Sequence, residues 1–155
     1  MERIASFTIN HLVLEPGLYV SRRDERDGVT VTTFDMRLTA PNREPVVDTP
    51  ALHTIDHLGA TFLRNSARNS EIVYFGPMGC RTGCYIVMFG DLNSEDVYDL
   101  VVEMCDFIIG FEGEIPGAKP EECGNYQEQN LDMAKYYISK YRENLVTNRN
   151  FVYKD

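Results

Sequence analysis

Residues 71–90 read EIVYFGPMGCRTGCYIVMFG. EIVYFG (71–76) and CYIVMFG (84–90) are short apolar runs rich in β-branched and aromatic side chains, and PMGCRTG between them carries two glycines and a proline. This pattern predicts two strands folded back on each other, because so tight a loop is too short for a parallel crossover. An antiparallel hairpin near the middle of the chain therefore anchors the reading of everything around it.

Upstream, GVTVTTFDMRLT (28–39) sets Val29 and Val31 in one phase and Phe34, Met36 and Leu38 in the other, which predicts a long strand with a bulge near Thr33. ASFTINHLVL (5–14) reads as a first strand or extended arm, and APNREPVVDTP (40–50) as a Pro/Asn loop. A first helix follows, with Thr49 as its cap, Pro50 in its first turn and Ala51, Ile55, Leu58 and Phe62 as its buried stripe, ending at Asn65 or Asn69. Downstream of the hairpin, Asn93 or Ser94 caps a second helix whose inward residues are Val97, Leu100, Val101, Met104, Phe107 and Ile108. EGEIPGAKPEECGNYQEQN (112–130) is a polar loop, and LDMAKYYISKYREN (131–144) a third helix. The order is strands, helix, strands, helix, helix, with no repeating crossover. The expected fold is α+β: a mainly antiparallel β-sheet with helices packed on one face, in a single domain over 1–155.

The composition narrows the function classes. The chain has 155 residues and a formal net charge of −9, with no block of Lys or Arg. Such a chain is a poor partner for nucleic acid or an anionic membrane surface. VYDLVVEMCDFIIGF is interrupted by Asp99, Glu103 and Asp106 and is no membrane span. MERIASFTIN shows no basic segment followed by an apolar one, so a cytoplasmic location is expected. Cys80, Cys84, Cys105 and Cys123 then read as thiols or ligands rather than bridges.

Within ALHTIDHLGA (51–60), His53 and His57 are four apart on the expected helix, so both imidazoles face one way and can serve one metal. Asp56 lies beside them and is read as a base rather than a third ligand. The bland alternative is a pair of histidines that bind nothing. A third ligand has to come from elsewhere, with His11 and the cysteines as candidates. Cys123 sits in a loop free to turn a thiolate inward; Cys80 sits in a Gly-lined turn; Cys84 and Cys105 sit inside apolar patterns and read as buried hydrophobes.

HTIDHLGATFLRN, FDMRLTAPN, GPMGCRTGCYIV and EECGN resemble, in composition, order and spacing, the S-ribosylhomocysteine lyases of the LuxS family, from Ser6 to beyond LDMAKYY. The resemblance implies that His53, His57 and Cys123 are metal ligands, that Cys80 is a catalytic acid/base, and that Asp56 is the other, standing where the family usually has Glu. It implies that Ser6, His11 and Arg37 are pocket residues contributed across a homodimer interface, and that Ala60 and Arg64 help line the pocket. An acid/base thiol needs a positive neighbour, and Arg37 of the partner subunit is our candidate for it. It further implies a ferrous (Fe2+) site that zinc or cobalt can occupy, and cleavage of S-ribosylhomocysteine to homocysteine and 4,5-dihydroxy-2,3-pentanedione, the autoinducer-2 precursor. The sequence departs from that pattern at Asp56, at Tyr74 and Gly76, where Asp and Ser are common, and at Cys84, where an aromatic residue is usual. The rival readings are a relative weakened by Asp56 and Tyr74, and a metallopeptidase of H-x-x-E-H type with Asp in place of Glu.

Overall fold

The computed structural model describes residues Met1–Asp155. Four strands, β1 (Gly17–Arg26), β2 (Val29–Arg37), β3 (Ile72–Pro77) and β4 (Gly83–Phe89), form one sheet in the order β1-β2-β4-β3. All neighbouring pairs are antiparallel. β2 and β3 consequently run parallel, with β4 inserted between them, and the chain crosses from one to the other through helix α1 (Thr49–Asn65). Helices α2 (Ser94–Gly110) and α3 (Leu131–Asn148) complete the helical layer. This is the α+β architecture the hairpin implied, and no helix is long and apolar enough to cross a membrane.

The helices share one face of the sheet. Leu18, Phe34, Met36, Cys84, Ile86 and Met88 point from the strands into a core closed by Ile55 and Leu58 of α1, Val101 and Met104 of α2, and Ile138 and Tyr141 of α3. Alternation along β2 puts Phe34 and Met36 into that core and Asp35 and Arg37 on the opposite face.

Several local expectations are corrected. Residues 5–14 are not a strand: Ala5–Phe7 form a single 3-10 turn and irregular chain follows. The true first strand is β1, joined to β2 through Asp27 and Gly28, both at positive φ, a two-residue turn that suits the strand twist. The bulge lies opposite the expected place rather than at it. Val20 pairs with Phe34 and Arg22 with Thr33, so the extra residue is Ser21 on β1, while β2 stays regular. The cap of α1 is Asp48, whose carboxylate accepts from the Ala51 backbone N–H, and Thr49 is already helical. Leu63 rather than Phe62 completes the buried stripe of α1. Asn93 caps α2 within a reciprocal capping box with Asp96, as one of the two expected residues. The third helix runs four residues further than expected, to Asn148, with Arg149 in the left-handed conformation just beyond it.

Candidate active site

α1 holds His53 and His57 one turn apart, with ring centroids 4.6 Å from each other. The long loop 112–130 folds over them and meets each ring. His53 Nδ1 lies 2.7 Å from the Glu128 carbonyl and His57 Nδ1 2.7 Å from the Pro116 carbonyl. A carbonyl only accepts, so both Nδ1 atoms carry the proton and both Nε2 atoms are left as donors to a metal. The same loop brings Cys123 to them. The donor atoms of His53, His57 and Cys123 all lie within 4.8 Å of one another, and Cys123 Sγ is 3.4 Å from His53 Nε2. Tetrahedral ligation with Zn–S and Zn–N bonds of the usual lengths requires an S···N edge of roughly 3.5 Å, so the donor set fits a small divalent cation. The loop is fixed to α1 by Thr54, buried on the helix, which donates to the Gln129 side chain and accepts from the Asn130 backbone N–H.

Asp56, His53, Pro77, Asn125 and Glu128 line one cleft of about 280 Å³. Burial pushes the Asp56 carboxyl above its ordinary range, and the neighbouring His57 and His53 only partly oppose that.

A second cluster occupies the sheet face away from the helices. Arg37, the last residue of β2, donates from Nη2 to Asp35 (2.6 Å) and from Nη1 to Thr82 Oγ1 (2.7 Å), and its Nη1 faces Cys80 Sγ at 4.0 Å. Cys80 Sγ is 3.1 Å from Thr82 Oγ1. Burial raises the Cys80 thiol, but the Thr82 hydrogen bonds and the Arg37 charge outweigh it and leave the thiol below its ordinary value. By contrast, Cys84 and Cys105 are fully buried and their thiols are pushed up, which makes them inert core residues.

The chain matches the family model described as S-Ribosylhomocysteinase (LuxS) over residues 4–152. It is similar to an S-ribosylhomocysteine lyase of Finegoldia magna (54% identical, covering 100% of both chains) and to one of Clostridium acetobutylicum (57% identical, over 91% of this chain and 90% of the relative). An S-ribosylhomocysteine lyase of Phocaeicola vulgatus is 56% identical over 91% of this chain and 88% of its own. The chain belongs to the LuxS family.

Several residues take on new meaning within the LuxS frame. The positive charge beside Cys80 was expected from a partner subunit; it comes from Arg37 of the same chain, because β2 ends directly under the 78–82 turn. Arg64 donates to the carbonyls of Ile72 and Val73 and so ties the end of α1 to β3. Ala60 is half-buried against the core; Ser6 borders a pocket with Arg22, Thr33 and Tyr85; His11 Nδ1 bonds the Ile9 carbonyl. Tyr74 and Gly76 fit each other. The Tyr74 ring and hydroxyl lie over Gly76, where a Cβ would overlap them. Thr54 and Gln129 carry no sequence signal of their own beyond a polar residue on the buried side of α1.

Gly117 supplies a test of how the loop supports the ligands. It has φ +74°, and a Cβ added there would meet His57 Nδ1 at 3.1 Å. Gly117→Ala is therefore expected to tilt His57 away from Pro116 and to weaken metal binding by about 10- to 100-fold. Chelator competition measures this, and an unchanged competition midpoint would show that the turn does not orient the ligand.

Proposed function

We propose that the chain is a metal-dependent S-ribosylhomocysteine lyase that releases homocysteine and 4,5-dihydroxy-2,3-pentanedione, the autoinducer-2 precursor. The observation that carries this reading is the triad of His53, His57 and Cys123, with His53 sharing a cleft with Asp56, in a chain of the LuxS family. Two imidazoles and one thiolate leave coordination positions free, which suits catalysis better than structural binding. The resident ion is Fe2+, with Zn2+ or Co2+ able to substitute, and when bound it supplies Lewis-acid polarisation of a substrate oxygen.

The chain's own residues move the protons. The opened sugar shifts its carbonyl along the carbon chain through two enolisations, each taking a C–H proton from one carbon and delivering a proton to the next. Once the carbonyl stands beside the carbon that is β to sulfur, loss of that carbon's proton expels homocysteine. Asp56 and Cys80 are the groups we assign to these transfers. Burial raises the Asp56 carboxyl, while Thr82 and Arg37 lower the Cys80 thiol, so the two groups shift in the opposed directions that suit an acid/base pair. Ser6, His11, Ala60 and Arg64 are assigned to the substrate pocket, and Arg37 to the thiol.

We read residues 1–155 as one catalytic domain, working in the cytoplasm as a homodimer with no nucleic-acid or membrane partner. In the dimer, Ser6 and His11 serve the partner's metal site. His11→Ala and His57→Ala chains, each inactive alone, are then expected to complement when mixed. Random re-pairing makes half of the dimers mixed, with one intact site each, so about one quarter of wild-type activity returns. No recovery in verified mixed dimers would place all these residues in one subunit's site. The reading as a whole is tested by anaerobic purification, metal assay and a thiol-release assay with S-ribosylhomocysteine. Metal-replete protein that releases no homocysteine would overturn it.

A further inference from the structure

The segment after α3 does not simply trail away from the fold. The Asn150 carbonyl accepts from the Leu18 backbone N–H, and its side-chain amide donates to the Pro16 carbonyl, so the chain is clipped along the free edge of β1. Phe151 packs against Tyr98 of α2 on the helical side. Two residues later the chain has passed to the other face of the sheet, where the Tyr153 ring stacks on Tyr19 with centroids 4.5 Å apart.

The Tyr153 hydroxyl lies 2.9 Å from Asp35 Oδ2, the same carboxylate oxygen that accepts from Arg37 Nη2. Asp35 and Arg37 are 1% and 2% exposed. Asp35 Oδ1 and Arg37 Nε meet no protein partner. The orientation of the ion pair therefore rests on few contacts: Tyr153 on the carboxylate side and Thr82 on the guanidinium side. We propose that Tyr153 is a positioning residue of the thiol site, holding the Asp35 carboxylate so that the Arg37 guanidinium stays against Cys80. This deepens the reading above and rests on Cys80 being the thiol that acts in it.

The physical chain is short. A carboxylate that accepts from tyrosine as well as from arginine has its charge shared between two donors and its rotation fixed. Without the hydroxyl, the carboxylate is free to turn and to draw more of the guanidinium toward itself. Arg37 Nη1 then moves off Cys80, and the thiolate loses its nearest positive charge. The other groups near Cys80 are Thr82 in its own turn and Tyr85 of β4, whose hydroxyl is raised above its ordinary value and stays neutral across the working range. Arg81, next in sequence, directs its guanidinium to Thr49 Oγ1, so Arg37 is the cation that lies against the sulfur.

Tyr153→Phe removes the hydroxyl and keeps the ring stack. The test measures alkylation of Cys80 by iodoacetamide against pH in the metal-loaded protein, followed at the Cys80 peptide by mass spectrometry. The variant is expected to titrate about one pH unit higher and to react about 10-fold more slowly at pH 7, with the acid limb of kcat moving the same way and KM little changed. Tyr19→Phe, which keeps the stack and leaves Asp35 untouched, is expected to titrate like wild type. A Tyr153→Phe midpoint equal to wild type would overturn the proposal, as would an equal shift in Tyr19→Phe. Because alkylation reads the thiol directly, this outcome is separate from the failure of Cys80 as a catalyst, which would show as normal turnover by Cys80→Ala.

Discussion

Cys123→Ala is expected to lose essentially all tightly held metal and all homocysteine release while remaining folded. Cys123 contributes nothing to the core: it is half-buried in an irregular loop, and its sulfur meets only His53 and the Asn125 backbone N–H. The loop keeps its other attachments through Pro116, Glu128 and Thr54. What the variant removes is one of three ligands and the only anionic one, which leaves two neutral imidazoles in an i, i+4 pair. Such a pair binds divalent ions far more weakly than a closed triad. A loss on the order of 100-fold or more in affinity is expected, since changes to groups that only support a ligand already cost 10- to 100-fold. Metal analysis after dialysis and the far-ultraviolet circular dichroism spectrum check the two halves of the statement. A variant that retains stoichiometric metal would take Cys123 out of the site. His57→Ala is not as clean a test, because His57 also holds the Pro116 carbonyl and so supports the loop itself.

Parts of the fold were legible in the sequence because each carried a local signal that tertiary packing reinforces. The 71–90 hairpin has apolar strands and a glycine-lined turn; the stripes of α1 and α2 match most of their buried faces, with Phe62 and Phe107 only partly buried at the margins and Leu63 and Cys105 buried instead. β1 hid for the opposite reason. GLYVSRRDER has charged residues at all of its last five positions, because β1 is an edge strand whose outer half is exposed on both faces. Its apolar content could not give it away, but Asp27-Gly28 could: that dipeptide is the mark of a two-residue hairpin turn. The extended appearance of residues 5–14 misled because β-prone residues such as Phe7, Ile9 and Val13 find no strand to pair with in this chain.

The site divides in the same way. The i, i+4 histidines are fixed by helix geometry alone and were visible at once. Cys123 was reachable only through the family resemblance, since nothing in EECGN says which direction a loop will turn. The support for the ligands was invisible, because it comes from backbone carbonyls at Pro116 and Glu128, which any residue type could provide. The neighbour of Cys80 was assigned to the wrong subunit because Arg37 and Cys80 are 43 residues apart in sequence, and only the β2–β4 register, Arg37 opposite Gly83, brings them together.

Asp56→Asn is expected to lower kcat by at least about 100-fold with metal content unchanged, the scale of a lost general acid/base. The carboxylate lies in the cleft with His53, and its burial keeps the proton closer to neutrality than an exposed aspartate would. The amide has nearly the same shape but no proton to exchange. The companion variant Asp56→Glu separates proton transfer from reach. An aspartate is one C–C bond shorter than a glutamate, roughly 1.5 Å, and about 1 Å of misplacement can cost 100-fold when the geometry of attack matters. If the cleft keeps its present shape, Glu places the carboxylate further into it, and turnover is expected to be retained or raised. If α1 has moved to suit the shorter side chain, Glu is expected to overshoot and slow the reaction, while Asn still abolishes it. Both outcomes keep Asp56 as a proton carrier. Asn with full metal and wild-type turnover would instead leave Cys80 to move every proton, and the opposed shifts of the two groups would then have no catalytic meaning. Metal must be measured in each variant, because Asp56 adjoins His57 in sequence and a change there can act by tilting the ligand. A fall in kcat that tracks a fall in bound metal is the signature of that indirect route; a fall at constant metal is the signature of lost proton transfer.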